Sequence, residues 1–191
     1  MEALVIKSGL ILGAYLGGAI PTGLILGRIF ASIDVRKYGS RNIGATNVYR
    51  NLGKKLGTLT LLGDILKGFL PVYLVYRITG AETWILLAAL ATFFGHLYPI
   101  FLKFSGGKGV ATALGAFLFL SPKILIINVM IFILILFLFR YVSLSSISAA
   151  SSMPLLMGLS PHPYPNSYIL TATIIAIREL NPKSAASPKA F

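Results

Sequence analysis

The sequence contains no cysteine. Disulfides, thiol nucleophiles and thiolate metal sites are thereby excluded. Acidic residues are almost as scarce: 5 Asp and Glu stand against 17 Lys and Arg, for a formal net charge of +12. Only 2 histidines occur, His96 and His162. They are too few and too far apart to suggest a metal site, and no Ser-His-Asp arrangement accompanies them. No cofactor is called for. Long polar stretches are missing as well, which leaves no room for a separate soluble domain.

What fills the chain is apolar. Of its 191 residues, 56% are hydrophobic, and they gather at roughly 3–30, 56–78, 84–102, 110–120, 124–139, 144–160 and 167–178. A bilayer crossing takes about 20 apolar residues in a helix. The expected fold is therefore an all-α, polytopic membrane protein with about seven transmembrane helices, some short or broken. The run at 110–120 either joins 124–139 as one broken span or crosses as a short helix among others. Glu2 ahead of Lys7 and the lack of a clear small-residue cleavage site argue against a cleavable signal peptide. Pro21, in "GAIPTG", should break the first span. Gly13, Gly17, Gly18, Gly23 and Gly27, with Ala111, Ala113, Gly115 and Ala116 later, suit close helix packing. Residues 1–178 form one expected membrane domain. Residues 179–191, "ELNPKSAASPKAF", form an expected disordered polar tail, and "SPHPYPNS" (160–167) an outer loop.

In a soluble protein the basic excess would suggest nucleic acid. In a membrane protein it follows the enrichment of cations in cytoplasmic loops, so no nucleic-acid partner is expected. With seven crossings and the N-terminus outside, all basic residues but Lys7, Arg77 and Lys123 fall on or near the cytoplasmic side. Trp84 and Tyr98 suit the aromatic belt.

Three polar clusters share that side. The first, "RKYGSRNIGATNVYR" (36–50), reads as an anion and hydroxyl site. Ser40, Asn42, Thr46 and Asn47 supply neutral hydrogen-bonding groups, and Arg50 is a fixed cation. Loop charge alone explains the arginines but not the density of Ser, Asn, Thr and Gly. The second, "FSGGKGVATALG" (104–115), reads as a flexible loop running into a helix. The amides of Gly106, Gly107 and Gly109 and the charge of Lys108 suit a phosphate. The Walker spacing fails, so ATP is not implied. The third, "RYVSLSSIS" (140–148), offers Ser143. Asp64 and Lys67 share one helix face and form either a structural pair or part of the site. His96 is either a satisfied buried histidine or the general base. His162 lies in the outer loop.

Taken together these residues resemble the PlsY family of bacterial acyl-phosphate:glycerol-3-phosphate acyltransferases. "GAIPTGLILGR" (18–28) resembles its first-span signature. "GSRNIGATNVYRNLGKKLG" (39–57) resembles its first motif, usually written with Gly where this chain has Arg41. "DILKG" (64–68) follows. "GHLYPIFLKFSGGKGVATALG" (95–115) resembles the second motif, and "RYVSLSSI" (140–147) the serine-bearing segment. The family's last motif carries a histidine and an asparagine, but here that place reads "AIRELNPK" (176–183) and no residue is carried over.

The resemblance implies seven spans in the bacterial inner membrane, with the polar motifs facing the cytoplasm. It also implies transfer of an acyl group from acyl phosphate to glycerol 3-phosphate, giving lysophosphatidic acid and phosphate. Ser40, Asn42, Lys108 and either His96 or a substrate phosphate would then serve the chemistry. Thr46, Asn47, Arg50, Gly106, Gly107, Gly109 and Ser143 would bind substrate. Two other readings remain open at this point: a small transporter for phosphate-bearing solutes, and an acyltransferase homologue impaired by its altered C-terminus. Oligomeric state is not legible.

Overall fold

The computed structural model describes residues 2–160 and 166–179. The described residues are helical, with no strand among them. The chain divides into two compact units, at Phe119 and Leu120.

The first unit begins with α1 (Glu2–Gly18) and α2 (Thr22–Ala31). They are bent by 44° at the break between them. Pro21 supplies no N–H and stands at the N-terminal boundary of α2, so the expected break falls where its chemistry puts it. After a single 3₁₀ turn at Val35–Lys37 comes α3 (Ala45–Leu52). This short amphipathic helix lies inside a stretch that reads from sequence as loop. Its Val48 is fully buried with Leu24, Val35 and Ile43, and the half-buried Leu52, Leu56 and Leu102 pack against them.

Next comes α4 (Lys54–Thr79), 26 residues long and therefore roughly 39 Å. Its buried residues, Gly57, Thr60, Asp64, Gly68, Val72 and Val75, recur every three or four positions and make one face. The unit closes with α5 (Glu82–Leu97) and α6 (Val110–Leu120).

Glycines set the helix spacing. A Cβ on Gly18 would strike the Thr92 backbone, and one on Gly95 would strike the backbone of Tyr15, so α1 and α5 approach through a reciprocal pair. Gly68 against Thr112 and Gly115 against Ile65 do the same for α4 and α6. In lipid, where apolar faces gain little by leaving the solvent, such close approach is a main source of helix association. Gly13, by contrast, meets nothing within 4 Å.

The second unit contains α7 (Pro122–Phe139), α8 (Val142–Gly158) and α9 (Asn166–Glu179). Pro122 opens α7 at its first position, where a missing N–H costs nothing. α6 and α7 are thus separate helices. Asn128 of α7 donates to the Ala149 carbonyl at 2.7 Å and to Ser152 Oγ at 3.0 Å. This polar clasp joins α7 to α8 in an apolar setting. Most of the outer face of α7, including Ile126, Met130, Ile133, Leu134 and Phe137, is exposed, as suits a surface turned to lipid.

Among the described residues, three helices are long and apolar enough to cross a membrane, or four if α1 and α2 count as one broken span, and three shorter apolar helices accompany them. Most of the outer loop at 160–167, His162 included, and the tail beyond residue 179 lie outside the described residues.

Candidate functional site

The first polar motif is organised around one side chain. Asn47 is 2% exposed. Its Nδ2 donates to the carbonyls of Val35 at 2.9 Å, Tyr38 at 3.2 Å and Asn42 at 2.8 Å. Its Oδ1 accepts from the Ser40 amide at 2.9 Å and from Asn51 Nδ2 at 2.9 Å. Both ends of the amide are therefore engaged in holding residues 35–42 over α3. Asn47 shapes the loop instead of facing a ligand, which moves it out of the substrate-contacting set expected from sequence.

Around that hub, Asn42 Oδ1 accepts from the Gly44 amide at 2.8 Å, a tight local turn that leads into α3. Gly39 has φ +55° and lies so close to Asn47 and Asn51 that no Cβ fits. Ser40, Thr46 and Arg50 are half-buried on the same short segment. Two contributors were not singled out from sequence. Asn51 follows Asn47 at helical spacing, a readable signal. Asp34 accepts from Arg36 Nε at 2.9 Å and Nη2 at 2.6 Å, from the Arg36 amide at 3.0 Å, and from Arg28 Nη2 at 3.2 Å. The hydrogen-bonded Arg36 guanidinium, helped by Arg28, holds the Asp34 carboxyl well below the usual carboxylate range. The same bond raises Arg36.

The second motif folds back onto the end of α5. The Gly106 amide donates to the Leu97 carbonyl and the Gly107 amide to the His96 carbonyl, both at 3.1 Å. These bonds satisfy carbonyls that a helix C-terminus would leave open. They also occupy two of the three glycine amides that the sequence offered to a phosphate, so Gly106 and Gly107 are corrected from anion donors to anchors. Each glycine has a packing reason. A Cβ on Gly106 would meet the His96 carbonyl, one on Gly107 would meet His96 Nε2, and one on Gly109, at φ +94°, would meet Phe93. The segment is closely packed, not the flexible loop its composition suggested. It delivers Lys108, half-buried, directly ahead of α6.

Beneath that loop lies a buried polar cluster. Lys67 Nζ stands 2.8 Å from Asp64 Oδ1 and donates to the Ile20 carbonyl at 2.7 Å. The i, i+3 pair is therefore real, and Lys67 also serves the backbone at the α1–α2 break. His96 is 3% exposed. Its Nδ1 lies 3.8 Å from Asp64 Oδ1, beyond hydrogen-bonding reach, and Gly107 lies close enough to Nε2 that an added Cβ would overlap it. Nδ1 is buried without a hydrogen-bond partner.

The two motifs meet within the first unit. Leu102, from the turn before the second motif, packs on the Leu24, Val35, Ile43 and Val48 core of the first. Ser143 lies in the second unit, buried in the first turn of α8.

A polytopic helical protein with two glycine- and asparagine-built loops, rich in basic residues, at one end of a helix bundle has the form of a membrane enzyme acting on phosphate-bearing substrates. Residues 8–183 match the family model described as glycerol-3-phosphate acyltransferase. The chain is 52% identical over 167 residues to the glycerol-3-phosphate acyltransferase of Trichlorobacter lovleyi, covering 87% of this chain and 85% of that protein. It is 60% identical over 145 residues to that of Geobacter metallireducens, covering 76% and 74%. Among solved structures it resembles PlsY, an integral membrane glycerol 3-phosphate acyltransferase. The glycerol 3-phosphate form gives a TM-score of 0.84 at 37% identity, covering 91% of this chain and 86% of that one. The lysophosphatidic acid form gives 0.83 at 36%, with the same coverage. The chain belongs to the glycerol-3-phosphate acyltransferase family. Membership decides between the enzyme and the transporter readings in favour of the enzyme.

Proposed function

We propose that this chain transfers a fatty acyl group from acyl phosphate to the 1-hydroxyl of glycerol 3-phosphate, at the cytoplasmic face of a bacterial inner membrane. The observation that carries this reading is the close likeness, over most of both chains, to a solved structure in two forms, one with glycerol 3-phosphate and one with its acylated product. A chain crossing seven times with its N-terminus outside puts both loops on the cytoplasmic side, where the soluble substrate is met.

The hydroxyl oxygen attacks the acyl carbonyl carbon. The bond between that carbon and the phosphate oxygen breaks, and inorganic phosphate leaves with the electron pair. The hydroxyl proton passes to a phosphate oxygen, whose second pKa lies near neutrality. An acyl phosphate is already activated, so no covalent enzyme intermediate is needed. The main obstacle is holding two anions together, and fixed donors and cations overcome it. Lys108 is assigned to one phosphate. Ser40 and Arg50 are assigned to the other, with Asn42 and Thr46 towards the glycerol or the acyl carbonyl. Asn47, Gly106 and Gly107 act by holding these groups in place.

The test is purified chain in detergent with acyl phosphate and glycerol 3-phosphate. Phosphate release and lysophosphatidic acid are followed together. Equal amounts of both support the reading. Binding of glycerol 3-phosphate without release of either product would support a homologue impaired by its altered C-terminal motif.

A further inference from the structure

His96 is buried beneath the second motif, yet the acyl transfer just described makes no use of it. Its surroundings assign it another task. The imidazole is bounded on one side by Asp64, with Nδ1 3.8 Å from Oδ1. On the other side lies Gly107, so close that a methyl group there would overlap Nε2. The His96 backbone carbonyl accepts from the amide of the same glycine at 3.1 Å. One residue thus holds Gly107 by a hydrogen bond and limits its approach with a ring. Behind the ring, Asp64 is paired with Lys67 at 2.8 Å, and Lys67 donates to the Ile20 carbonyl at 2.7 Å. The ring therefore rests on a carboxylate that is itself tied to α4 and to the break between α1 and α2. Lys108 is the residue directly after Gly107.

We propose that His96, backed by Asp64 and Lys67, is a positioning residue that sets the height of the Gly106–Gly109 segment above α5 and so the place where Lys108 meets a phosphate. The inference rests on the acyl-transfer reading for its substrate and deepens it. Proton transfer by His96 plays no part, so its loss should act on binding geometry and leave the pH dependence alone.

A double-mutant cycle tests this. In purified full-length chain, Gly107→Ala forces a methyl group against the ring and raises KM tenfold or more for one of the two phosphate substrates. His96→Ala removes the ring and raises the same KM, while its pH–rate profile superimposes on that of the wild type. In the double variant the methyl group occupies space the ring has vacated, so the effect stays within twofold of His96→Ala alone. Losses that multiply would overturn the proposal, as would loss of one limb of the pH–rate profile in His96→Ala. If His96→Ala does not fold, His96→Asn, shorter and still polar, takes its place in the cycle with the same two outcomes. Calorimetric binding of glycerol 3-phosphate and of inorganic phosphate is measured on all variants. A wild type that binds these anions without acyl transfer fails the functional reading, while the same cycle in binding still decides the positioning claim.

Discussion

The two polar loops of the first unit are secured in opposite ways. Residues 34–51 are held from within, by Asn47, whose side chain reaches three carbonyls and an amide of its own segment. Residues 98–109 are held from without, by the end of α5, against which their glycines fit only because they lack side chains. The first loop is vulnerable to losing atoms and the second to gaining them. Both devices achieve the same result: a backbone too constrained to wander, carrying the groups proposed above to meet the two phosphates.

The second device should break most severely. A methyl group at Gly106 would collide with the backbone carbonyl of His96, the same carbonyl that anchors Gly107. No rotamer change relieves that overlap, so the loop must move. A displacement on the order of 1 Å at a binding site costs roughly 10²-fold in rate. Gly106→Ala is therefore expected to lower kcat/KM by about that factor, read from initial rates of phosphate release. Activity within threefold of wild type would mean the loop tolerates movement and the comparison fails.

Asn47→Ala strikes the first device. It leaves the Asn42 carbonyl and the Ser40 amide without their partner, and leaves the Val35 and Tyr38 carbonyls only the backbone amides of Tyr38 and Arg41. Buried groups left unsatisfied cost about 1–3 kcal/mol each, and water will reach some of these, so a total near 3 kcal/mol is expected. Thermal unfolding in detergent and limited proteolysis between 35 and 50 should report it. Unchanged resistance to protease would show that α3 holds the loop without its asparagine.

A smaller effect separates the loops by pH. Asp34 is held below the usual carboxylate range by Arg36 and Arg28. A carboxylate depressed in the folded state contributes stability that is present above its unfolded pKa, near 4, and is lost as pH falls towards the folded value. Both arginines reach solvent, with side-chain exposures of 58% and 38%, so the contribution should be about 1 kcal/mol. Protease resistance of the first loop should fall below pH 4 in the wild type and be flat in Asp34→Asn, while cleavage at 98–109 follows neither. An identical pH response in Asp34→Asn would assign the sensitivity to another group.

The apolar helices were legible because apolar runs and proline breaks carry their own signal, whereas the expected count of seven crossings is not confirmed: three or four of the described helices are long and apolar enough. The bend at Pro21 and the Asp64–Lys67 pair both follow from local spacing. α3 was not legible. With Asn47 turned inward, its eight residues offer too few apolar positions to show a helical period. The glycines of "GGKG" were legible as special but not in kind, since flexibility and close approach look alike in sequence. Only the placement of Phe93, His96 and Leu97 decides between them. The bond from Lys67 to Ile20 spans 47 residues and depends on a helix break at one end, so no window of sequence contains it.

Arg41 offers the finest adjustment of the comparison. It is exposed and has φ +56°, in the left-handed region where a Cβ crowds the following carbonyl at a cost of roughly 1–2 kcal/mol. Two residues earlier Gly39 has nearly the same φ, +55°, but is packed against Asn47 and Asn51. The loop thus bends twice to the left, once where a side chain cannot fit and once where it fits with strain. The related motif carries Gly at the second place, which the backbone explains without any role for the guanidinium. Arg41→Gly should relieve the strain and return part of the gain as unfolded-state entropy, for a net stabilisation of about 0.5 kcal/mol, with kcat/KM unchanged. Loss of stability, or a rise in KM of more than threefold, would show instead that Arg41 contacts a substrate and that its strain is retained for that purpose.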